Sequence, residues 1–241
     1  FHPAIVVHGG CWVATLGTLP PAAVSLGNMR PMAAALTEAG IATWNIEYRR
    51  VDQPGGGWPG TFLDVGAAAD FLRTIAEREQ LDLTRVIAIG HSAGGHLAMW
   101  LGARARIPAT SDLYTKNPLP LSGIVNLDGP ADLKAALPVE KPICGSPVVT
   151  TLMGGPPDGR ADRYRAASPI ELLPFGGRQV FLAGAMFGSQ IEPYTAAATK
   201  AGEAVQSKHY EKAGHFLFID PQSEIWPDVV RRVRGVLSMA Q

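Results

Sequence analysis

The sequence predicts an α/β fold, a mostly parallel central sheet with helices on both faces, built as a single domain. Three observations lead there. Short apolar runs at 4–7, 41–46, 86–89, 123–127 and 179–183 alternate with stretches whose apolar residues fall at helical spacing, the pattern of strands joined by crossover helices. The segment Gly90-His91-Ser92-Ala93-Gly94 passes straight from one such run into a helix-like stretch, and its small residues permit a sharp turn. A length of 241 residues suits one α/β domain.

Taken in order, Ala4-Ile5-Val6-Val7 reads as a buried strand that runs into His8-Gly9-Gly10-Cys11-Trp12. Met29, Met32, Ala33 and Leu36 have helical spacing and stop before Gly40, after which residues 41–46 read as a strand. The strand end at Tyr48-Arg49-Arg50 meets a turn-rich loop, 53–60, and Arg49 or Arg50 is placed to pair with Asp64. Phe62, Val65, Ala69, Leu72 and Ala76 form one helical stripe facing the core. Residues 86–89 form the strand before Ser92, and 95–101 the helix after it.

The strand at 123–128 ends in Asp128-Gly129-Pro130. The region 130–177, rich in Pro, Gly and Arg, is too long for a simple connection and predicts a small lid with short patterns at 132–137 and 148–153. Strands at 179–183 and 205–210 follow, then Ala213-Gly214-His215-Phe216. A last helix begins near Ser223 and carries Ile225, Val229, Val233 and Val236 on one face.

Three of these segments carry chemistry. A serine hydroxyl is a useful nucleophile only when exposed, oriented and beside a base, and the strand-to-helix turn at Ser92 supplies the first two. Glycines just past a strand end, Gly9 and Gly10, let backbone N–H groups point inward to stabilise an oxyanion. A late loop histidine after a strand, His215, fits the general base.

Composition excludes other classes. The formal net charge is zero, which leaves no electrostatic footprint for nucleic acid or an anionic membrane. No apolar stretch approaches the length of a bilayer span. The two cysteines, Cys11 and Cys144, do not make a disulfide framework and lack zinc-site spacing. Cys11 reads as a small residue in a crowded turn, where oxidation could perturb activity. His91 and His96 are five apart and have no accompanying carboxylate cluster, so no metal site is expected.

These residues resemble those of α/β-hydrolases of the esterase and lipase type, close to the kynurenine-formamidase-like and acetyl- or feruloyl-esterase-like branch. His8-Gly9-Gly10-Cys11-Trp12 matches that branch's His-Gly-Gly-x-Trp, and residues 90–96 match its Gly-His-Ser-Ala-Gly-Gly-His. Ala213-Gly214-His215-Phe216 followed by Ile219-Asp220-Pro221 fits as well. The resemblance covers nearly the whole chain. It implies the α/β-hydrolase fold and hydrolysis of a small-molecule ester or amide through an acyl-enzyme on Ser92, with His215 as base and no cofactor. The oxyanion donors are then backbone N–H groups of Gly9, Gly10 or Cys11 with Ala93, and Trp12 lines an apolar pocket together with the 130–177 insertion.

One position departs from the family. An Asp or Glu is expected after the next-to-last strand, yet the residues there are Gly184-Ala185-Met186-Phe187-Gly188, with Phe187 in its place and the loop a few residues short. The acid then belongs to residues missing from this loop, or is Glu192 or Asp128, or does not exist. The short loop favours the first. Asp128 also reads as an ordinary turn former before Gly-Pro, and Glu192 as a charged helix start.

The expected activity is carboxylic-ester hydrolysis. The rivals are an aryl formamidase and a hydrolase-fold binding protein that lacks the acid. The amino end lacks the early hairpin usual in the family and so reads as truncated, which leaves room for a signal peptide. The expected location is the cytoplasm.

Overall fold

The computed structural model describes residues 1–238. A six-stranded sheet has the order β2-β1-β3-β4-β5-β6, and every neighbouring pair is parallel. The strands are β1 (Pro3–Val7), β2 (Ala42–Ile46), β3 (Ile87–His91), β4 (Gly123–Leu127), β5 (Arg178–Ala183) and β6 (Val205–His209). Between and after them run α1 (Arg30–Glu38), α2 (Gly60–Asp70), α3 (Leu72–Ile75), α4 (Ala93–Ala103), α5 (Leu133–Cys144), α6 (Val148–Met153), α7 (Ala161–Ala167), α8 (Ile191–Lys200) and α9 (Trp226–Leu237). This is the α/β-hydrolase architecture the sequence predicts.

The two-residue period of the strands divides the core into two layers. Ile5, Val7, Ala88, Ile124 and Phe181 face one way, toward Phe62, Leu97, Trp100 and Tyr194. Ala4, Val6, Ile87, Ile89, Val125, Leu127, Val180 and Leu182 face the other, where they meet Met32 and Leu36 of α1 and Val229, Val233 and Val236 of α9. Because both faces are covered, the inner strands read as continuous apolar runs rather than alternating ones.

Several local expectations are corrected. The single helical stripe of 62–76 is broken at Phe71 into α2 and α3. The β2 strand stops at Ile46, so Tyr48, Arg49 and Arg50 lie beyond it. Arg49 is the residue that pairs with Asp64, through Nε–Oδ2 and Nη2–Oδ1 contacts of 2.8 Å each. Arg50 is buried and donates to the Val24 carbonyl at 2.6 Å. Cys11 and Cys144, read as unpaired, form a disulfide across 133 residues. It joins the loop after β1 to the last residue of α5, a proximity that spacing alone does not reveal. The 130–177 region holds α5, α6, α7 and short 3-10 turns.

The chain leaves β1 for β2 on one side, then crosses back to β3 on the other. The carboxyl ends of β1 and β3 therefore bound the crevice where loops diverge, the usual ligand position in an open α/β sheet. The His8–Trp12 loop and Ser92 both sit there.

Candidate active site

Ser92 occupies a strained position. Its φ of 57° and ψ of −124° lie outside the ordinary regions for an L-residue. The flanking glycines make the turn possible. A Cβ on Gly90 would lie 2.0 Å from the Gly94 carbonyl oxygen, and one on Gly94 would lie 2.1 Å from that of Val7. Ser92 opens α4, whose first N–H groups are free for an anion.

The loop after β1 makes a second strained turn. Val13 N–H donates to the Gly10 carbonyl at 3.0 Å, while Cys11 and Trp12 between them have φ of 56° and 55°. Positive φ at both central residues is the type I′ pattern, which costs non-glycine residues about 1–2 kcal/mol each. Among the described residues, the backbone N–H groups of Gly10, Cys11 and Ala93 donate to no protein acceptor. Gly9 N–H likewise has no protein acceptor among the described residues, and Gly9 packs under Ser92, where an added Cβ would come within 2.9 Å of Ser92 Cβ.

His8 anchors this loop from behind. It is fully buried, stacks on Tyr48 with ring centroids 4.2 Å apart, and meets Glu47 Oε1 at 2.6 Å through Nε2 and the Gly9 carbonyl at 2.7 Å through Nδ1. Burial alone would raise the Glu47 carboxyl, but its hydrogen bond to His8, the His8 charge, the Tyr48 N–H and Arg50 together hold it below the usual range.

His215 begins a 3-10 turn after β6. Its Nδ1 lies 2.7 Å from Asp128 Oδ2. Asp128 is fully buried at the end of β4, and its other oxygen accepts from Gly184 N–H at 3.0 Å and Phe187 N–H at 3.1 Å. Three donors thus compensate a buried carboxylate. The loop after β5 therefore supplies backbone donors to a carboxylate carried by the neighbouring strand. Glu192 is exposed in the first turn of α8 and makes no hydrogen bond or ion pair with a described residue.

His91, beside Ser92, is a further residue of this cluster. Its Nε2 donates to the His215 carbonyl at 2.9 Å, and the two rings lie 4.3 Å apart. Burial, and secondarily the nearby His215, push the His91 imidazole well below its ordinary value, so it stays neutral. Only a histidine inside the motif hinted at this contact.

Gly10, Cys11, His91, Ser92 and His215 line one cavity of about 190 Å³, whose remaining wall includes Leu16, Val24, Ile143, Met186 and Phe216. Trp12, expected at the pocket wall, is buried and packs edge-on against His96. It bounds a separate space of about 20 Å³ with Ile143, Val148 and Phe187. Among the described residues no group of three or more His, Cys, Asp or Glu side chains could hold a metal, and no helix is long and apolar enough to cross a membrane.

Comparisons with known proteins bear on the family and the fold. A model of the BD-FAE family matches residues 2–181. No curated protein sequence matches the chain. Among solved structures, a truncated carbohydrate esterase from gut microbiota superposes with a TM-score of 0.75 at 20% identity, over 99% of this chain and 86% of that one. An acetyl ester-xyloside bifunctional hydrolase from Caldicellulosiruptor lactoaceticus gives 0.71 at 18%, over 100% and 84%. A carboxylesterase from Lactobacillus plantarum gives 0.72 at 20%, over 100% and 88%.

Proposed function

The chain belongs to the BD-FAE family, and from that membership we propose that it hydrolyses carboxylic esters of small or medium-sized substrates through an acyl-enzyme. Ser92 is the nucleophile, His215 the general base and Asp128 the acid that orients it. The observation that carries the reading is the 2.7 Å bond between Asp128 and His215, whose ring shares a cavity with Ser92.

The chemistry follows from the groups present. As Ser92 Oγ bonds to the ester carbon, its proton passes to His215 Nε2. Asp128 accepts from Nδ1, which fixes the tautomer and stabilises the imidazolium. Negative charge that develops on the carbonyl oxygen meets the free N–H groups of Gly10, Cys11 and Ala93, which need no reorganisation. His215 then protonates the departing alkoxide. Water, deprotonated by the same ring, attacks the acyl-enzyme and releases the carboxylic acid.

The cavity wall is apolar outside the reacting groups, and among the described residues that line it no carboxylic acid is placed to protonate an amine. The esterases among the structural neighbours support esters over aryl formamides. A short acyl or aryl group suits the cavity's size, and the carbohydrate esterase among the structural neighbours supports an acylated sugar as one substrate class. The disulfide supports an oxidising compartment over the cytoplasm. Hydrolysis of p-nitrophenyl acetate by the unmodified protein, lost in Ser92→Ala, tests the activity. Equal rates in the two proteins would refute it.

A further inference from the structure

The oxyanion turn and the helical insertion are covalently joined, and the joint sits at the reacting centre. Cys11 contributes one of the free N–H groups and lines the cavity with Ser92. Its sulfur is bonded to Cys144, the last residue of α5. Ile143, next to Cys144, lines the same cavity.

The far end of α5 is also fixed. Asp132 caps the helix by accepting from Lys134 N–H at 2.8 Å, and Gln190 Oε1 accepts from the Ala131 and Asp132 N–H groups at 2.8 and 3.0 Å. Glu140, buried within α5, accepts from Val149 N–H at 2.8 Å and so ties α5 to α6. By contrast, the far side of the oxyanion turn is held by backbone and side-chain hydrogen bonds, from Val51 N–H to the Trp12 carbonyl and from Ala14 and Thr15 N–H to Asp52. Cys11 itself sits in a left-handed conformation that L-residues avoid, so it stays there only if its surroundings hold it.

We infer that Cys144 is a positioning residue for the reaction. Through its bond to Cys11 it keeps the Cys11 N–H aimed at the oxyanion, so full turnover requires the oxidised pair. This rests on the ester-hydrolase reading above. Reduction by a dithiol breaks the S–S bond. Two electrons and two protons pass to Cys11 and Cys144, and the dithiol closes to its own disulfide. The turn is then free to relax out of its left-handed conformation, and one oxyanion donor leaves its place.

The test uses the whole protein in three forms: oxidised, reduced with dithiothreitol and then reoxidised, and Cys144→Ser. Titration of free thiols in denaturant establishes the state of the pair. For each folded form, kcat and KM for p-nitrophenyl acetate are measured with the inhibition constant of a trifluoromethyl ketone, which forms a tetrahedral oxyanion on the serine. The expected result is a kcat about 10- to 100-fold lower in the reduced and Cys144→Ser forms. KM stays within about threefold, the ketone weakens in parallel with kcat, and reoxidation restores activity. A disulfide that serves only as a staple lowers the melting temperature and leaves kcat and ketone affinity unchanged in the folded protein, which overturns the inference. So does a rise in KM alone, which would assign the bond to the pocket wall at Ile143. Free thiols in the untreated protein overturn it as well. An oxidised protein with no activity overturns the ester-hydrolase reading instead.

Discussion

Asp128 and His215, 87 residues apart in the chain, are joined by a 2.7 Å hydrogen bond in which a fully buried carboxylate faces Nδ1. The carboxylate comes from the end of β4, while the loop after β5 turns two N–H groups toward its second oxygen. Adjacent parallel strands end side by side, so a carboxylate from either can reach the same histidine. In the proposed triad the acid therefore stands one strand earlier than the resemblance implies, facing the same histidine.

Asp128→Asn keeps the shape of the side chain but presents the wrong partner to the histidine. Its kcat for p-nitrophenyl acetate falls by about 10³- to 10⁴-fold while KM changes little. Glu192→Gln, on the exposed start of α8, leaves both constants within about twofold. The reverse ranking in steady-state kinetics would assign the acid to Glu192.

Gly94→Ala tests the elbow. The added methyl would fall 2.1 Å from the Val7 carbonyl oxygen and 2.5 Å from that of His8, both backbone atoms of the neighbouring strand and loop. Overpacking of this kind costs about 2–3 kcal/mol and displaces Ser92. Denaturant melts record the loss of stability, and the surviving folded protein has little activity.

His91→Phe fills the site but removes the donor to the His215 carbonyl, a bond of 2.9 Å. The bond is only partly buried, so leaving that carbonyl unsatisfied costs toward the lower end of about 1–3 kcal/mol, concentrated on the turn that carries His215. The expected result is a kcat reduced about tenfold or more, with His91→Gln, which can still donate, recovering part of it. Equal activity in the phenylalanine variant would show that the ring contact alone suffices.

Stability depends on pH through His96. The ring is fully buried in α4, and desolvation lowers it to about 4 despite the hydrogen bond from Nε2 to the Ala167 carbonyl. In the unfolded chain it titrates near ~6.5. Between these values the unfolded state binds the proton and the folded state does not, so stability is complete above the unfolded value and is lost as pH falls toward about 4. His91 acts in the same direction. At about 1.4 kcal/mol per pH unit, His96 accounts for up to about 3 kcal/mol. Urea unfolding at pH 7 and pH 5 reads this out, and His96→Gln has the shallower dependence.

The elbow was legible because it is a local requirement. Gly90 and Gly94 meet backbone within a few residues or on the adjoining strand, so the pattern is written in five consecutive positions. The inner strands were legible to within a residue or two because both their faces are buried. The proposed acid was harder to read, since Asp128 before Gly-Pro looks like a turn and only the order of β4, β5 and β6 in the sheet brings it to His215. The disulfide depends on where α5 ends, and nothing near Cys11 in the chain reports the position of a residue 133 places away. Trp12 sits one residue beyond Cys11 in the same turn, yet its ring turns inward against His96.

The most direct measurement is the rate and site of labelling by a fluorophosphonate, followed by intact mass and peptide mapping, in the unmodified protein, Ser92→Ala and Asp128→Asn. The triad predicts a single adduct on Ser92, none in Ser92→Ala, and labelling slowed by orders of magnitude in Asp128→Asn. An adduct on another residue, or an Asp128→Asn protein labelled as fast as the unmodified one, would contradict it.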